Sequence, residues 1–209
     1  MRRSFIAGLL GFLGLDKATA EQTHVPVPSI TTLTPLRLPA DTDARDWFWR
    51  IIDASLDADE AAQITRLRGA LDTMVDQDLV DFIGLYWGMH SELYMWRLWA
   101  AAYLMNGGCS DDGFIDFRAW LIARGRVVTE RAVTDPDSLA DLGVEMDSAS
   151  FEQFGYVMLD AFRARSGGVY PAFRSATGPH EPVEPDCHFD FDDEGQMRQR
   201  LPRLSALYL

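Results

Sequence analysis

Residues 95–120 read MWRLWAAAYLMNGGCSDDGFIDFRAW, and this stretch decides the fold. Tryptophan and other apolar side chains recur on both sides of an Asn-Gly-Gly break, at the spacing of an amphipathic helix. Asn106 and Gly107 suit the left-handed conformation that ends a helix, and Ser110 or Asp111 suits the cap of the next one. The stretch therefore predicts two helices joined by a tight polar turn.

The helix before this turn is predicted to be long and central. Residues 77–105 contain no proline, and their apolar side chains occupy much of the helix circumference. Other helices are therefore expected to cover it on several sides. Gly84 and Gly88 lie in its middle, where they would let it bend or let another helix approach closely.

Capping residues and apolar spacing predict further helices on either side, and no alternation typical of a β-strand occurs. One helix is expected to begin at Asp43, and others to cover residues 57–74, 110–124, 126–133 and about 150–166. The predicted fold is an all-α, compact multi-helix domain over residues 43–166. Residues 167–209 are acidic and contain five prolines and several aromatics. They predict a mostly irregular C-terminal extension, packed on the helices, with a short helix near residues 193–200.

The charge balance is acidic, with 32 carboxylates against 19 arginines and lysines and a formal net charge of −13. Such a field repels the phosphates of nucleic acids and anionic lipids, so neither is expected as a partner. It attracts basic proteins or metal cations, although acidity also serves solubility. A basic protein is the partner that the charge favours.

Residues 1–20 have the plan of a bacterial export signal. Arg2 and Arg3 precede an apolar run, and Ala18-Thr19-Ala20 offers a cleavage site before Glu21. The paired arginines resemble the twin-arginine motif of proteins exported after folding. We expect a protein of the periplasm or exterior, with no stable membrane anchor after cleavage and a Pro/Thr-rich linker over residues 21–42. The alternative is a cytoplasmic protein whose first residues form an amphipathic helix.

Several motifs resemble a bacterial family of uncharacterised proteins. They are WRLWAAAY at 96–103, GGCSDDGF at 107–114 and FRAWLI at 117–122, with supporting similarity at 47–49 and 135–140. Together they resemble domain-of-unknown-function family 4240, over roughly residues 43–162. The resemblance implies an all-helical domain and brings no catalytic residues. The export-like leader is not part of the family pattern.

The turn contains the first candidates for catalytic or metal-binding residues. Cys109 precedes a helix N-terminus, which favours a thiolate, but Asp111 and Asp112 would repel that charge. His90 and His188 are candidate bases only if the fold brings them near. Metal ligands could come from Asp111, Asp112, Glu92, Cys109, or Cys187 with His188, but their spacing matches no known metal motif. The sequence thus predicts no cofactor, no metal and no catalytic residue, and leaves pairing of Cys109 with Cys187 open.

Two functional hypotheses remain. The first is a non-enzymatic protein-binding module, inhibitor-like or immunity-like, which contacts its partner through the turn. Its predicted interaction residues are Trp96, Arg97, Trp99, Asn106, Gly107, Gly108, Cys109, Ser110, Asp111, Asp112 and Arg118. The second is a metal-dependent or hydrolase-like enzyme that uses the acids around the turn. Core packing of the tryptophans and helix capping by residues 110–112 would explain the same residues without a site. The sequence does not indicate the oligomeric state.

Overall fold

The structure is a computed structural model that describes residues 29–172 and 189–209. Throughout these ranges the chain forms helices and no strands, so the predicted all-α class is confirmed. The α-helices are α1 (Thr42–Ser55), α2 (Glu60–Asp72), α3 (Asp76–Glu92), α4 (Trp96–Met105), α5 (Asp111–Ala123), α6 (Arg126–Thr134), α7 (Glu152–Ser166), α8 (Glu194–Arg200) and α9 (Pro202–Tyr208). Short 3-10 helices cover Ile30–Thr32 and Pro136–Leu142. Among the described residues, no helix has both the length and the apolar character needed to cross a bilayer.

The predicted single helix over residues 77–105 is wrong, because the chain turns between α3 and α4. In a continuous helix the carbonyl of His90 would accept from the amide of Tyr94. Instead the Tyr94 amide donates to Ser91, and Arg118 of α5 donates to the His90 carbonyl at 2.9 Å. Met95 is extended (φ −119°, ψ 135°). A side chain from another helix thus ends α3, which is why no glycine or proline marks the break.

The core lies where α7 packs against α2 and α5, and where α3 is covered by α1, α5 and α7. Four aromatic rings run through it from α4 into α5. Trp99 stacks on Phe114 at 4.8 Å between ring centroids, Phe117 follows at 6.0 Å, and Trp120 follows at 5.5 Å. Trp99 and Trp120 are buried and stabilise the core, because aromatic side chains bury a large surface area.

The turn between α4 and α5 has the conformation that its glycines predict. Gly107 adopts the left-handed region (φ 64°), and the Gly108 amide donates to the carbonyl of Tyr103. The hydroxyl of Ser110 then accepts from the amide of Gly113 at 3.2 Å, so Ser110 is the cap of α5. The two helices and the tight turn predicted for this stretch are therefore present.

Residues 29–41 lie along α3 instead of standing apart from the helices. A Cβ atom built on Gly84 would meet the ring of Pro35 at 2.6 Å, and one on Gly88 would meet Pro39 at 2.2 Å. The buried carboxylate of Asp81 anchors the same segment, because it accepts from the Leu36 amide at 2.6 Å. The close approach expected at the two glycines thus comes from a proline-containing extended segment, not from another helix. The predicted export signal and the first part of the predicted linker lie in residues 1–28, outside the described residues.

The described part of the C-terminal extension is mostly helical, so the prediction of a mostly irregular tail is wrong for residues 189–209. The short helix expected near residues 193–200 is present as α8. Helix α9 follows at once, and its first turn is capped from a distance: the buried carboxylate of Asp137 accepts from the amides of Arg203 and Leu204 at 2.9–3.1 Å. Because this cap is 66 residues away in the chain, local sequence patterns do not reveal it. The tail packs on the domain as expected, with Leu204 fully buried.

The glycine contact with Pro39 gives a first prediction. We expect Gly88→Ala to lower the free energy of unfolding by about 1–3 kcal/mol, because the added methyl group would displace the rigid proline ring. Gly69→Ala is the matched control, since Gly69 lies inside α2 with open space around its Cβ position. There we expect a gain of about 0.5–1 kcal/mol from helix propensity. Denaturant unfolding of both variants checks this, and equal effects would contradict the packing of the leader on α3.

Candidate functional site

The two tryptophans of the predicted interaction turn hold other segments in place. The indole of Trp99 donates to the carbonyl of Cys109 at 3.0 Å and thereby fixes the turn. The indole of Trp96 donates to the carbonyl of Phe189 at 3.1 Å, and its ring packs on Phe191. Both rings therefore take part in folding contacts.

Asn106 ties the turn to the segment before α7. Its amide nitrogen donates to the carbonyl of Ala149, and its amide oxygen accepts from the amide of the same residue, at 3.1 and 3.0 Å. This pair of bonds copies one step of a backbone ladder. It sets the position of α7 relative to α5, which matters for the cleft described below.

Arg118 is a buried cation that serves the fold. Its guanidinium donates to the carbonyls of Phe114 and His90, and it lies over the rings of Tyr94 and Phe114 at 4.7 and 4.9 Å. Burial lowers the pKa of Arg118 to about 10, and no described carboxylate pairs with it. Arg97, at the start of α4, is partly buried. Neither cation lines the cleft described below.

Cys109 is not poised as a nucleophile. Burial raises the pKa of its thiol to about 11, and this outweighs the donor from Trp99, which acts in the opposite direction. The charges of Asp116 and Asp111 raise the pKa further. A thiolate is the reactive form of cysteine, so this side chain is protonated and weakly nucleophilic at neutral pH.

A cleft of about 410 Å³ opens beside the turn, between α3, α5 and α7. Helix α5 contributes Asp112, Ile115, Asp116 and Ala119, and helix α7 contributes Glu152, Gly155, Tyr156 and Leu159. Each set has the spacing i, i+3, i+4, i+7, so each forms one face of its helix. Tyr86 and Trp87 of α3 complete the lining.

The cleft is negatively charged, and none of the described residues that line it is cationic. Asp112, Asp116 and Glu152 line it, and none of the three forms an ion pair with another described residue. The pKa of Asp116 is raised, first by burial and then by repulsion from Glu152 and Asp112. A carboxyl group with a perturbed pKa in a cleft, as Asp116 is, marks a candidate functional site.

Aromatic groups and a glycine shape the inner part of the cleft. Tyr86 is buried, and a Cβ atom at Gly155 would lie only 3.2 Å from its hydroxyl oxygen. The hydroxyl of Tyr156 donates to the carboxylate of Glu152 at 2.8 Å, which fixes both side chains on the surface of α7. The cleft therefore joins carboxylates to aromatic rings.

The described residues proposed for a metal-dependent site do not form a group that could hold a metal ion. Glu92 accepts from Arg45 at 2.8 and 2.9 Å, in a different cavity from Asp112. Within residues 29–172 and 189–209, no three His, Cys, Asp or Glu side chains are grouped so that they could hold a metal ion. Cys187 and His188 lie outside the described residues, so the possible pairing of Cys109 with Cys187 stays open.

The predicted interaction residues and the cleft share one side chain, Asp112. Ser110 caps α5, and Asp111 is exposed in the first turn of that helix. Sequence reasoning missed Asp116, Glu152 and Tyr156. The repeated i, i+3, i+4, i+7 spacing in residues 112–119 and 152–159 was the signal that could have found the two walls, but not the fact that they face each other.

Arg118 gives a prediction about stability. We expect Arg118→Met to lower the free energy of unfolding by about 1–3 kcal/mol, because it leaves the His90 carbonyl buried without its donor. Arg68→Met is the control, since Arg68 makes an exposed ion pair with Asp72, and both residues lie on α2. This substitution should change the free energy of unfolding by less than about 0.5 kcal/mol. Chemical denaturation measures both changes. An Arg118 variant as stable as the Arg68 variant would refute this role.

The thiol of Cys109 gives a prediction about reactivity. In a Cys187→Ser variant, alkylation of Cys109 by iodoacetamide at about pH 8 should be on the order of a hundredfold slower than that of free cysteine. The reason is that a pKa near 11, against the ordinary 9.0, leaves little thiolate. Loss of free thiol over time measures the rate. A rate equal to that of free cysteine, in folded protein, would contradict the burial of this group.

Among known proteins, the chain is similar to a family whose function is not established. No curated protein and no solved structure matches the chain. A family profile described as "Protein of unknown function (DUF4240)" matches residues 44–164, which run from α1 through most of α7 and include every residue that lines the cleft. The chain therefore belongs to the DUF4240 family.

Proposed function

We propose that this protein is a non-enzymatic binding module that recognises a basic protein partner through the acidic cleft between α3, α5 and α7. One observation carries the proposal: three carboxylates line a cavity with aromatic walls and have no cationic partner among the described residues. A cationic side chain from a partner would supply the missing charge. The site thus differs from the predicted turn, although Asp112 belongs to both.

The electrostatics of the free protein support this proposal. Asp112, Asp116 and Glu152 repel one another, and that repulsion helps to raise the pKa of Asp116. A bound cation removes the repulsion and favours the ionised form of Asp116. The net charge of −13 adds long-range attraction that speeds encounter with a basic partner.

The size and lining of the cleft suit one side chain better than a folded surface. A volume of about 410 Å³ is at the lower end of small-ligand pockets. Trp87 and Tyr156 offer aromatic surface, and cations bind to the faces of such rings. We therefore place a single long cationic side chain in the cleft, with the rest of the partner lying on the surface around it.

An exported protein with such a cleft suits an inhibitor-like or immunity-like role. The twin-arginine-like leader supports action in the periplasm or outside the cell, where the protein would bind and mask a basic region of its target. Recovery of the uncleaved chain in the cytoplasm, after fractionation of native cells, would count against this location and leave the binding proposal standing.

A hydrolase-like enzyme is the second candidate, and the raised pKa of Asp116 is the observation that favours it. A carboxyl group that keeps its proton to a higher pH than usual can act as a general acid. Against this, the described residues that line the cleft include no histidine, serine or cysteine to act as nucleophile or partner base. Binding is the function that the cleft supports better.

Binding of a short peptide that contains both arginine and lysine tests the proposal, with affinity measured by titration calorimetry. We expect Asp116→Asn to weaken binding about tenfold, because a charge-assisted contact is lost. Asp111→Asn is the matched control, since Asp111 lies in the first turn of the same helix but does not line the cleft. Equal loss in both variants would mean that net charge, not the cleft, drives binding, and would overturn the proposal.

The same variant should separate binding from stability. Because the pKa of Asp116 is raised on folding, its ionised form is disfavoured in the native state, and the group lowers stability at pH values above that pKa. Asp116→Asn should therefore leave the free energy of unfolding unchanged or raise it, by less than about 1 kcal/mol. Denaturant unfolding at neutral pH checks this. A clear loss of stability would show that Asp116 has a structural role.

A further inference from the structure

We infer that the cleft selects an arginine side chain of the partner over a lysine, and that this arginine is flanked by apolar residues. The inference rests on the proposed function and adds the chemical identity of the group that is bound. Three features of the cleft carry it: the spread of its carboxylates, its aromatic walls and its apolar rims.

The carboxylates face one cavity but do not meet at one point. Asp112 and Asp116 are one turn apart on α5, which separates their Cβ atoms by about 5–6 Å, and Glu152 comes from α7. They do not form a group that could hold a metal ion. A lysine ammonium, like a metal ion, is a compact charge that binds best to oxygens gathered closely around it. A guanidinium instead presents five donors across a plane. Acceptors spread over two walls therefore suit arginine.

The aromatic walls favour the same ion. Trp87 and Tyr156 line the cleft on α3 and α7, and a planar guanidinium can stack on such rings while its edge donates hydrogen bonds. The chain itself uses this contact: Arg37 lies 4.1 Å from the ring centre of Trp47, and Arg124 lies 5.1 Å from that of Trp120. An ammonium gains less from stacking because it is not planar and is more strongly hydrated.

The rims of the cleft are apolar. Ile115 on α5 is 43% exposed and Tyr156 on α7 is 48% exposed, so each of these two helices presents one large exposed side chain with apolar surface at the cleft. A partner with charge alone would leave these two surfaces in water. An arginine with an apolar residue before and after it would cover both, as the anchors of protein interfaces do. The fitting ligand is therefore a short segment of the type apolar-arginine-apolar.

Three peptides of equal length that differ at one position test the inference. Each carries leucine on both sides of a central residue, which is arginine, lysine or the neutral arginine analogue citrulline. In titration calorimetry with the full-length protein, the dissociation constant of the arginine peptide should be at least about tenfold lower than that of the lysine peptide. The citrulline peptide, which keeps the shape and loses the charge, should bind at least a hundredfold more weakly.

Two variants show whether the peptide occupies the cleft. Asp116→Asn combined with Glu152→Gln should abolish the preference for arginine, whereas Asp111→Asn should keep it, with the far-ultraviolet spectrum and the unfolding midpoint confirming that each is folded. If lysine and arginine peptides bind equally and both need Asp116 and Glu152, the choice of arginine is overturned and the binding function stands. If no peptide binds, or if the double substitution leaves the affinity of the peptides unchanged, both proposals are overturned.

Discussion

The fold depends on one buried guanidinium. Arg118 projects from the middle of α5 and donates to the carbonyl of His90 at the end of α3, where the backbone would otherwise bond to itself. His90 bonds in return through its ring nitrogen to the carbonyl of Ile115 at 3.1 Å. These two contacts stop α3, start the turn into α4 and hold the end of α3 against the first turns of α5. A buried charge of this kind costs free energy in desolvation, and its lowered pKa reflects that cost.

The cleft follows from this constraint. Because the end of α3 is fixed on α5, Tyr86 and Trp87 face Asp112 and Asp116. The third wall is set separately: Asn106 bonds the turn to Ala149, and the amide of Phe151 donates to the carbonyl of Asp116. Helix α7 then runs close to α3, so that a Cβ atom at position 155 would lie 3.2 Å from the hydroxyl oxygen of Tyr86. The residues of the turn thus contribute to the site indirectly, by holding its walls, and Asp112 alone of them lines it.

The sequence was informative where structure is decided locally. The glycines of the turn, the Ser110 cap and the apolar spacing of each helix act within a few residues, so the all-α class and the two helices around the turn follow from pattern alone. Prediction from the sequence failed where a residue distant in the chain, and not a neighbour, ends or caps a helix. The break after α3 depends on Arg118, and the start of α9 depends on Asp137, and neither leaves a mark in the neighbouring residues. The sequence did not predict the cleft, for the same reason. Its two acidic faces lie about forty residues apart in the chain and meet only when α7 packs on α5.

The cleft gathers three carboxylates that have no arginine partner among the described residues. At several other places on the surface arginine does bind carboxylates: Arg126 bonds to Asp46 and Glu130, and Arg203 and Arg131 share Asp141. Beside the cleft, Arg118 is only two residues from Asp116, yet its guanidinium is directed into the core, to the carbonyls of α3 and α5. Three carboxylates around a cavity thus have no counter-ion among the described residues, and one of them, Asp116, has a raised pKa. This arrangement lowers stability in the free protein, and a bound cation would remove its cost.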